Sequence, residues 1–140
     1  MKVMIVDDST VINQGLYKLL SDIEGLEIVS VVEDGLEAMS EFKNKNPDIV
    51  VLDLMIPKMS GLDVLRNIRQ INDKTIIIVL TNYNQSYFRD LTSSLGADYF
   101  LDKSAEFEKV YAICSNLIKP DPENDTDYLL LNDRKRSANV

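Results

Sequence analysis

Three aspartates are the side chains of this 140-residue chain best placed to do chemistry, because each follows an apolar run. Asp7 and Asp8 come directly after the N-terminal apolar run, and Asp53 ends the run that starts at Ile49. Carboxylates a few ångströms apart repel one another by several kcal/mol at an effective dielectric of about 20, so such a cluster normally holds a hard cation. Mg²⁺ suits it best, because Mg²⁺ accepts one or two carboxylates and completes its shell with water and phosphate.

A hydroxyl and an ammonium group follow two later apolar runs. Thr81 ends the fourth run, and Lys103 comes directly after the fifth. A single Thr or Lys at a strand end means little. Together with the three aspartates they supply a carboxylate nucleophile, metal ligands, a hydroxyl donor and a fixed cation, which is what phosphoryl transfer onto a side chain needs.

The rest of the composition excludes several other classes of protein. The absence of histidine and the presence of one cysteine remove most zinc, haem and thiol chemistry and an internal disulfide framework. A net charge of −8 disfavours direct binding to nucleic acid or to an anionic membrane. No apolar run approaches the roughly 20 residues that span a bilayer, and the N-terminal run is too short for a signal peptide. We therefore expect a cytoplasmic protein with no membrane insertion.

Alternating strands and helices are the elements that must position these side chains. Five β-rich apolar runs alternate with five segments whose apolar residues recur at helical spacing. Strands that are apolar on both sides need helices on both faces, so we predict a doubly wound, five-stranded parallel sheet. Right-handed crossovers favour the strand order 2-1-3-4-5, which opens a crevice at the carboxyl ends of strands 1 and 3. Ser104 is the predicted N-cap of the fifth helix.

The alternation extends over residues 1–119, which we predict to be one domain. Residues 120–140 are polar and punctuated by proline, and we expect them to form a flexible C-terminal tail. Twenty-one residues are too few for an output domain, so we expect the domain to act alone.

The pattern closely resembles the receiver domain of two-component response regulators over about residues 1–119. It consists of the five residues above, Gly61 in the loop after the third strand, and Gly96-Ala97-Asp98 before the fifth strand. The resemblance implies a flavodoxin-like fold and a stand-alone receiver similar to the chemotaxis response regulator.

The resemblance also implies a role for each residue of the site. Asp53 is then the phospho-acceptor, and Asp7 and Asp8 hold Mg²⁺ directly or through water. The backbone carbonyl of Met55 is a further Mg²⁺ ligand, and Lys103 is the cation that binds the phosphoryl group.

A switch is implied as well, with Thr81 as the switching hydroxyl and Phe100 at the position of the family's aromatic switch residue. A histidine kinase or a phosphotransfer protein would phosphorylate Asp53. The face formed by helix 4, strand 5 and helix 5 would then bind an unidentified downstream protein.

Three positions bear on how well the site works. The family usually has a proline in a cis peptide after the lysine, whereas this chain has Ser104, and a non-proline cis bond costs about 3–4 kcal/mol. This departure bears on the placement of Lys103 and not on the acceptor Asp53. Met55 and Tyr83 stand where side chains border the approach of water in the family. Both are bulky and neither offers a carboxylate or an amide to orient water, so we expect a long-lived aspartyl phosphate.

Two other functions stay open on the sequence alone. A Mg²⁺-dependent phosphohydrolase of the haloacid dehalogenase type also uses an aspartate at a strand end, but it wants a second Asp where this chain has Met55. A scaffold with a receiver fold is the other alternative, and the complete acidic site disfavours it. We expect no enzyme activity beyond the chain's own phosphorylation and slow dephosphorylation.

Overall fold

Five strands alternate with five helices along residues 1–120, which are the residues that the computed structural model describes. The strands pair in parallel in the order 2-1-3-4-5, so the predicted doubly wound, five-stranded sheet is confirmed. In chain order the elements are β1 (Lys2–Val6), α1 (Thr10–Ser21), β2 (Glu27–Val32), α2 (Gly35–Lys45), β3 (Ile49–Leu52), α3 (Gly61–Ile71), β4 (Ile76–Thr81), α4 (Ser86–Ser94), β5 (Tyr99–Asp102) and α5 (Lys109–Ile118).

Helices cover both faces of the sheet and enclose two apolar cores. On one face, α1 and α5 pack around buried residues such as Leu20 and Ile113. On the other face, α2 and α3 bury Phe42 and Ile68, and Phe88 of α4 packs against the same core. Every residue of β3 and β4 is buried, which explains why these two strands are almost continuously apolar in sequence.

The edge of the sheet at which all five strands end, here called the carboxyl edge, is held rigidly by the helices that begin there. The Ser9 hydroxyl accepts the Ile12 N–H at 3.3 Å and caps α1. Gly61 opens α3 so close to β3 that a Cβ on it would lie 2.1 Å from the Asp53 carbonyl oxygen. Only glycine permits that approach, so α3 fixes the backbone of Asp53.

The fifth helix begins later than the sequence predicted. Ser104 does not cap it, because α5 begins at Lys109 and follows Glu108, which makes no capping hydrogen bond. Ser104 instead donates its N–H and its hydroxyl to the Asp102 carboxylate in a turn, a local side-chain to backbone arrangement that competes with helix capping. The Lys103–Ser104 peptide is trans, as is every peptide bond among the described residues.

Two further expectations concern membranes and the end of the chain. Within residues 1–120, no helix is long and apolar enough to span a membrane. The predicted flexible tail covers residues 120–140. Residues 121–140 of it lie outside the described part of the chain.

Candidate functional site

Two neighbouring strands bring the three aspartates together at the carboxyl edge. Val6 at the end of β1 pairs with Leu52 at the end of β3, so the residues that follow these strands lie side by side. Carboxylate oxygens of Asp7, Asp8 and Asp53 all lie within 4.8 Å of one another. Asp7 and Asp53 are buried and Asp8 is exposed, so the cluster opens to solvent on one side.

The ammonium group of Lys103 bridges the two buried carboxylates. Its Nζ lies 2.6 Å from Asp7 Oδ2 and 2.9 Å from Asp53 Oδ2, and the lysine side chain is only 9% exposed. The trans peptide after Lys103 therefore does not displace the lysine from the site. One cation faces three carboxylates here, so the site carries surplus negative charge.

Burial and ion pairing shift the pKa values of this site in opposite directions. Burial raises the pKa of Asp7 above its ordinary value, and the hydrogen bonds that this carboxylate accepts from Lys103 and Ser9 offset only part of the rise. Burial alone would lower the pKa of Lys103, but hydrogen bonds and charges from Asp7 and Asp53 outweigh it and raise that pKa. Lys103 therefore stays protonated at neutral pH and holds its charge against the carboxylates.

Thr81 ends β4, one strand further along the carboxyl edge, and is fully buried. Its hydroxyl oxygen accepts the Tyr83 N–H at 3.2 Å. Its carbonyl oxygen accepts the Lys103 N–H at 2.9 Å, which ties the loop after β5 to the end of β4. The Thr81 hydroxyl therefore lies at the carboxyl edge and is hydrogen-bonded to the loop that follows β4.

Phe100 lies apart from the aspartates, in the middle of β5. Its ring is buried in the core formed with α2, α3 and α4. The Arg89 guanidinium of α4 covers this ring at 4.8 Å from the centroid, a cation–π contact. Phe100 is therefore held inward, beneath α4.

Met55 borders the site with its backbone, and its side chain faces solvent. Its amide nitrogen lies 3.5 Å from Asp53 Oδ1, and its side chain is 53% exposed. Sequence reasoning missed Asn13, a buried residue whose Nδ2 donates to the Asp7 carbonyl at 2.7 Å. The signal for it was an amide inside the apolar stretch of the first helix, where a polar side chain needs a buried partner.

The donor set fits a hard divalent cation. Three carboxylates, one of them exposed, can supply one or two direct ligands and leave positions for water, which is what Mg²⁺ requires. The chain contains no histidine, so the imidazole ligand that commonly selects softer metals is missing throughout.

A family comparison decides what kind of domain this is. The response regulator receiver domain matches residues 3–115. The chain belongs to that family. Receiver domains are signalling switches that interact with histidine kinases and downstream proteins and bind Mg²⁺ at an acidic pocket. The resemblance inferred from the aspartates, the threonine and the lysine is confirmed.

Curated relatives and solved structures agree with this receiver domain. The transcriptional regulatory protein YdfI of Bacillus subtilis is 36% identical over 126 residues, covering 86% of this chain and 59% of that protein. The chain thus spans little more than half of that relative's length. The crystal structure of the CheX-CheY-BeF3-Mg²⁺ complex of Borrelia burgdorferi contains a chain 30% identical to this one, with a TM-score of 0.76, and the match covers 84% of this chain and 89% of that one.

A more distant structure supports the receiver fold alone. The Mn²⁺-bound form of the response regulator Rcp1 is 24% identical, with a TM-score of 0.70, and the match covers 85% of this chain and 90% of that one.

Proposed function

We propose that this receiver domain, residues 1–119, is a phosphoryl-accepting switch in which a histidine kinase or a phosphotransfer protein phosphorylates Asp53. The observation that carries the proposal is the placement of Lys103 Nζ 2.9 Å from Asp53 Oδ2, inside a cluster with surplus negative charge. A neighbouring structure gives support, since the solved CheX-CheY-BeF3-Mg²⁺ complex of Borrelia burgdorferi contains a chain 30% identical to this one.

The metal of this proposal is Mg²⁺. Asp7, Asp8 and Asp53 would hold it, directly or through water, together with the backbone carbonyl of Met55. When bound, Mg²⁺ neutralises the carboxylate cluster and the oxygens of the incoming phosphoryl group.

The chemistry is a displacement at phosphorus. A carboxylate oxygen of Asp53 attacks the phosphorus atom, and the bond between phosphorus and the donor breaks, with its electron pair leaving on the donor. Lys103 binds the phosphoryl oxygens, and because its ammonium is almost entirely buried its charge acts at low dielectric. Asp53 is fixed by α3 behind it, so the attacking oxygen is oriented before the donor arrives.

The switch follows from the hydrogen bond that Thr81 makes in this structure. When its side chain turns to donate the hydroxyl hydrogen to a phosphoryl oxygen, Thr81 gives up the Tyr83 N–H that its oxygen accepts in this structure. The loop before α4 then shifts, and Phe100 moves relative to the Arg89 side chain that covers it. The face formed by α4, β5 and α5 changes shape, and a downstream protein binds it.

The setting of this switch is the cytoplasm. Its partners are the phosphoryl donor and a downstream protein, and the net charge of −8 disfavours direct contact with nucleic acid. The domain catalyses only its own phosphorylation and the slow loss of the phosphoryl group.

Incubation with acetyl phosphate and Mg²⁺ tests the proposal. We expect intact-mass spectrometry to show one phosphoryl group per chain, labile to hydroxylamine and absent when EDTA removes the metal. A phosphohydrolase would release phosphate continuously, and a scaffold would neither take up nor release it. Either result would overturn the proposal.

A further inference from the structure

The carboxylate of Asp102 collects three hydrogen bonds at the turn that carries Lys103. Asn84, in the loop before α4, donates from Nδ2 to Asp102 Oδ2 at 2.9 Å. Ser104 donates to Asp102 Oδ1 twice, from its amide nitrogen at 3.0 Å and from its hydroxyl at 2.8 Å. Both oxygens of one carboxylate therefore fix residues 102–104, here called the lysine turn, and join it to the neighbouring loop.

The backbone of the lysine turn is also fixed from the other side. The Asp102 N–H donates to Glu106 Oε1 at 3.0 Å, and the Lys103 N–H donates to the Thr81 carbonyl at 2.9 Å. A lysine side chain is long and flexible, so the point from which it starts decides where its ammonium can reach. The turn sets that point for Lys103.

We propose that Asp102 is a positioning residue for Lys103: its carboxylate closes the lysine turn and aims the ammonium at Asp53. The inference rests on the proposed function, in which Lys103 binds the phosphoryl group. Hydrogen bonds from Asn84 and Ser104 lower the pKa of Asp102, so its carboxylate is ionised at neutral pH and remains a strong acceptor.

Ser104 and Asp102 together hold the lysine turn in this chain. A proline at position 104 would have neither the N–H nor the hydroxyl that Ser104 donates. The serine that departs from the usual family residue thus supplies two of the three hydrogen bonds that Asp102 accepts, and the peptide bond between Lys103 and Ser104 is trans. The hydrogen bonds between Ser104 and Asp102 explain how Lys103 reaches Asp53 without the proline.

The expected signature is a loss of rate with little loss of stability. Asn84 and Ser104 are exposed, and exposed hydrogen bonds contribute little to the free energy of unfolding. A displacement of Lys103 by about 1 Å, in contrast, can cost a reaction up to about 100-fold in rate. A residue with a merely structural role would change stability and rate together.

The first experiment compares three variants in phosphorylation by acetyl phosphate with Mg²⁺. Asp102→Ala removes the acceptor and should lower the rate by about tenfold, since it frees the turn that orients Lys103. Asp102→Asn keeps Oδ1 for Ser104 and pairs with a rotated Asn84 amide, so it should retain most of the rate. Asp73→Ala changes an exposed aspartate at the opposite edge of the sheet and should match the wild type.

The second experiment does not depend on phosphorylation. A water-soluble acetylating reagent should modify Lys103, which is 9% exposed, far more slowly than Lys58, which is 63% exposed. Peptide mass spectrometry should show this protection lost in Asp102→Ala and kept in Asp102→Asn.

These outcomes separate the inference from the proposed function. Unchanged rate and protection in Asp102→Ala, or equal losses in Asp102→Ala and Asp102→Asn, would overturn the role of Asp102. A wild type that takes up no phosphoryl group would overturn the proposed function, and the protection of Lys103 would then decide the positioning role by itself.

Discussion

Two buried groups of ion-paired side chains lie at opposite edges of the sheet, and they differ in what surrounds their charges. At the edge where the strands begin, here called the amino edge, Arg69 Nη2 lies 2.9 Å from Asp98 Oδ2. At the carboxyl edge, Lys103 lies between Asp7 and Asp53 at similar distances and similar burial. Both groups pair a basic side chain with aspartate, yet only the group at the carboxyl edge is part of the candidate site.

At the amino edge Arg69 pairs with Asp98, and the backbone contributes further contacts to both side chains. Arg69 Nε donates to the Gly96 carbonyl at 2.9 Å, and Asp98 Oδ2 also accepts the Ile77 N–H at 2.9 Å. At the carboxyl edge one ammonium faces Asp7, Asp53 and the exposed Asp8. The Arg69–Asp98 pair holds α3 to the sheet, whereas the three carboxylates around Lys103 are suited to bind a cation and a phosphoryl group.

The largest effect expected at the carboxyl edge comes from Asp53→Asn. The amide keeps the shape of the side chain but is a poor nucleophile toward phosphorus, so labelling by acetyl phosphate should disappear while circular dichroism and thermal melting show a folded domain. Intact-mass spectrometry measures the label. If the variant were labelled to the wild-type level, Asp53 would not be the acceptor.

At the amino edge the largest expected effect is on stability. Arg69→Met leaves the buried Asp98 carboxylate without its cation and should lower the free energy of unfolding in urea by about 3 kcal/mol. The exposed Arg66, which pairs with Asp63 on the same helix, is the matched control, and Arg66→Met should cost less than about 1 kcal/mol. The folded fraction of both variants should be labelled normally. If Arg69→Met lost labelling without losing stability, the amino edge would contribute to phosphorylation, contrary to this account.

The sequence predicted the carboxyl edge well because parallel strands end at one edge. Asp7, Asp8, Asp53, Thr81 and Lys103 each follow a strongly apolar run, so their meeting required only the strand order. The pair at the amino edge was not predicted, since nothing in the local pattern says which arginine reaches Asp98. Such a pair depends on the distance between α3 and β5, which only the packed structure defines.

The start of α5 shows a second limit of the sequence. A serine before an apolar periodic stretch indicates an N-cap. In the folded chain Ser104 instead donates to the Asp102 carboxylate, which also accepts a hydrogen bond from Asn84 of another loop. The asparagine belongs to a segment 18 residues away. Contacts of this kind are set by the tertiary structure and override the local preference.

A smaller effect concerns the access of water to the carboxyl edge. Met55 and Tyr83 are both exposed beside the site, and neither side chain offers a carboxylate or an amide to orient a water molecule for attack on phosphorus. Met55→Asn combined with Tyr83→Glu should speed the loss of the phosphoryl group by about tenfold, since it supplies groups that position water. Tyr87→Glu, a change at a more exposed tyrosine of α4, is the control. A double variant that lost the group no faster than the wild type would contradict this account of access.

The smallest expected effect is a pH dependence confined to the carboxyl edge. Hydrogen bonds lower the pKa of Asp102 below its ordinary 3.8. Burial would raise the pKa of Glu106, but hydrogen bonds from Lys109 and the Asp102 N–H, together with the charges of Lys109 and Arg89, outweigh it, and the pKa falls below its ordinary 4.5. Groups with lowered pKa values stabilise the fold above their ordinary values and lose that contribution as the pH falls through the lowered ones.

Amide resonances of residues 102–109 should therefore shift on acidification below about pH 4, before the domain unfolds. Asp102→Asn should remove part of this shift, whereas Asp73→Ala should leave it unchanged. Shifts spread evenly over both edges of the sheet would show that the lysine turn is not the element that responds to acid.

The most direct test of the central claim is to locate the phosphoryl group on the chain. Hydroxylamine converts an aspartyl phosphate into a hydroxamate at the residue that carried it, and peptide mass spectrometry identifies that residue. After labelling with acetyl phosphate and Mg²⁺, the hydroxamate is predicted on Asp53 and only when the metal is present. A hydroxamate on Asp7 or Asp8, or none at all in a folded protein, would contradict the assignment of the carboxyl edge as the acceptor site.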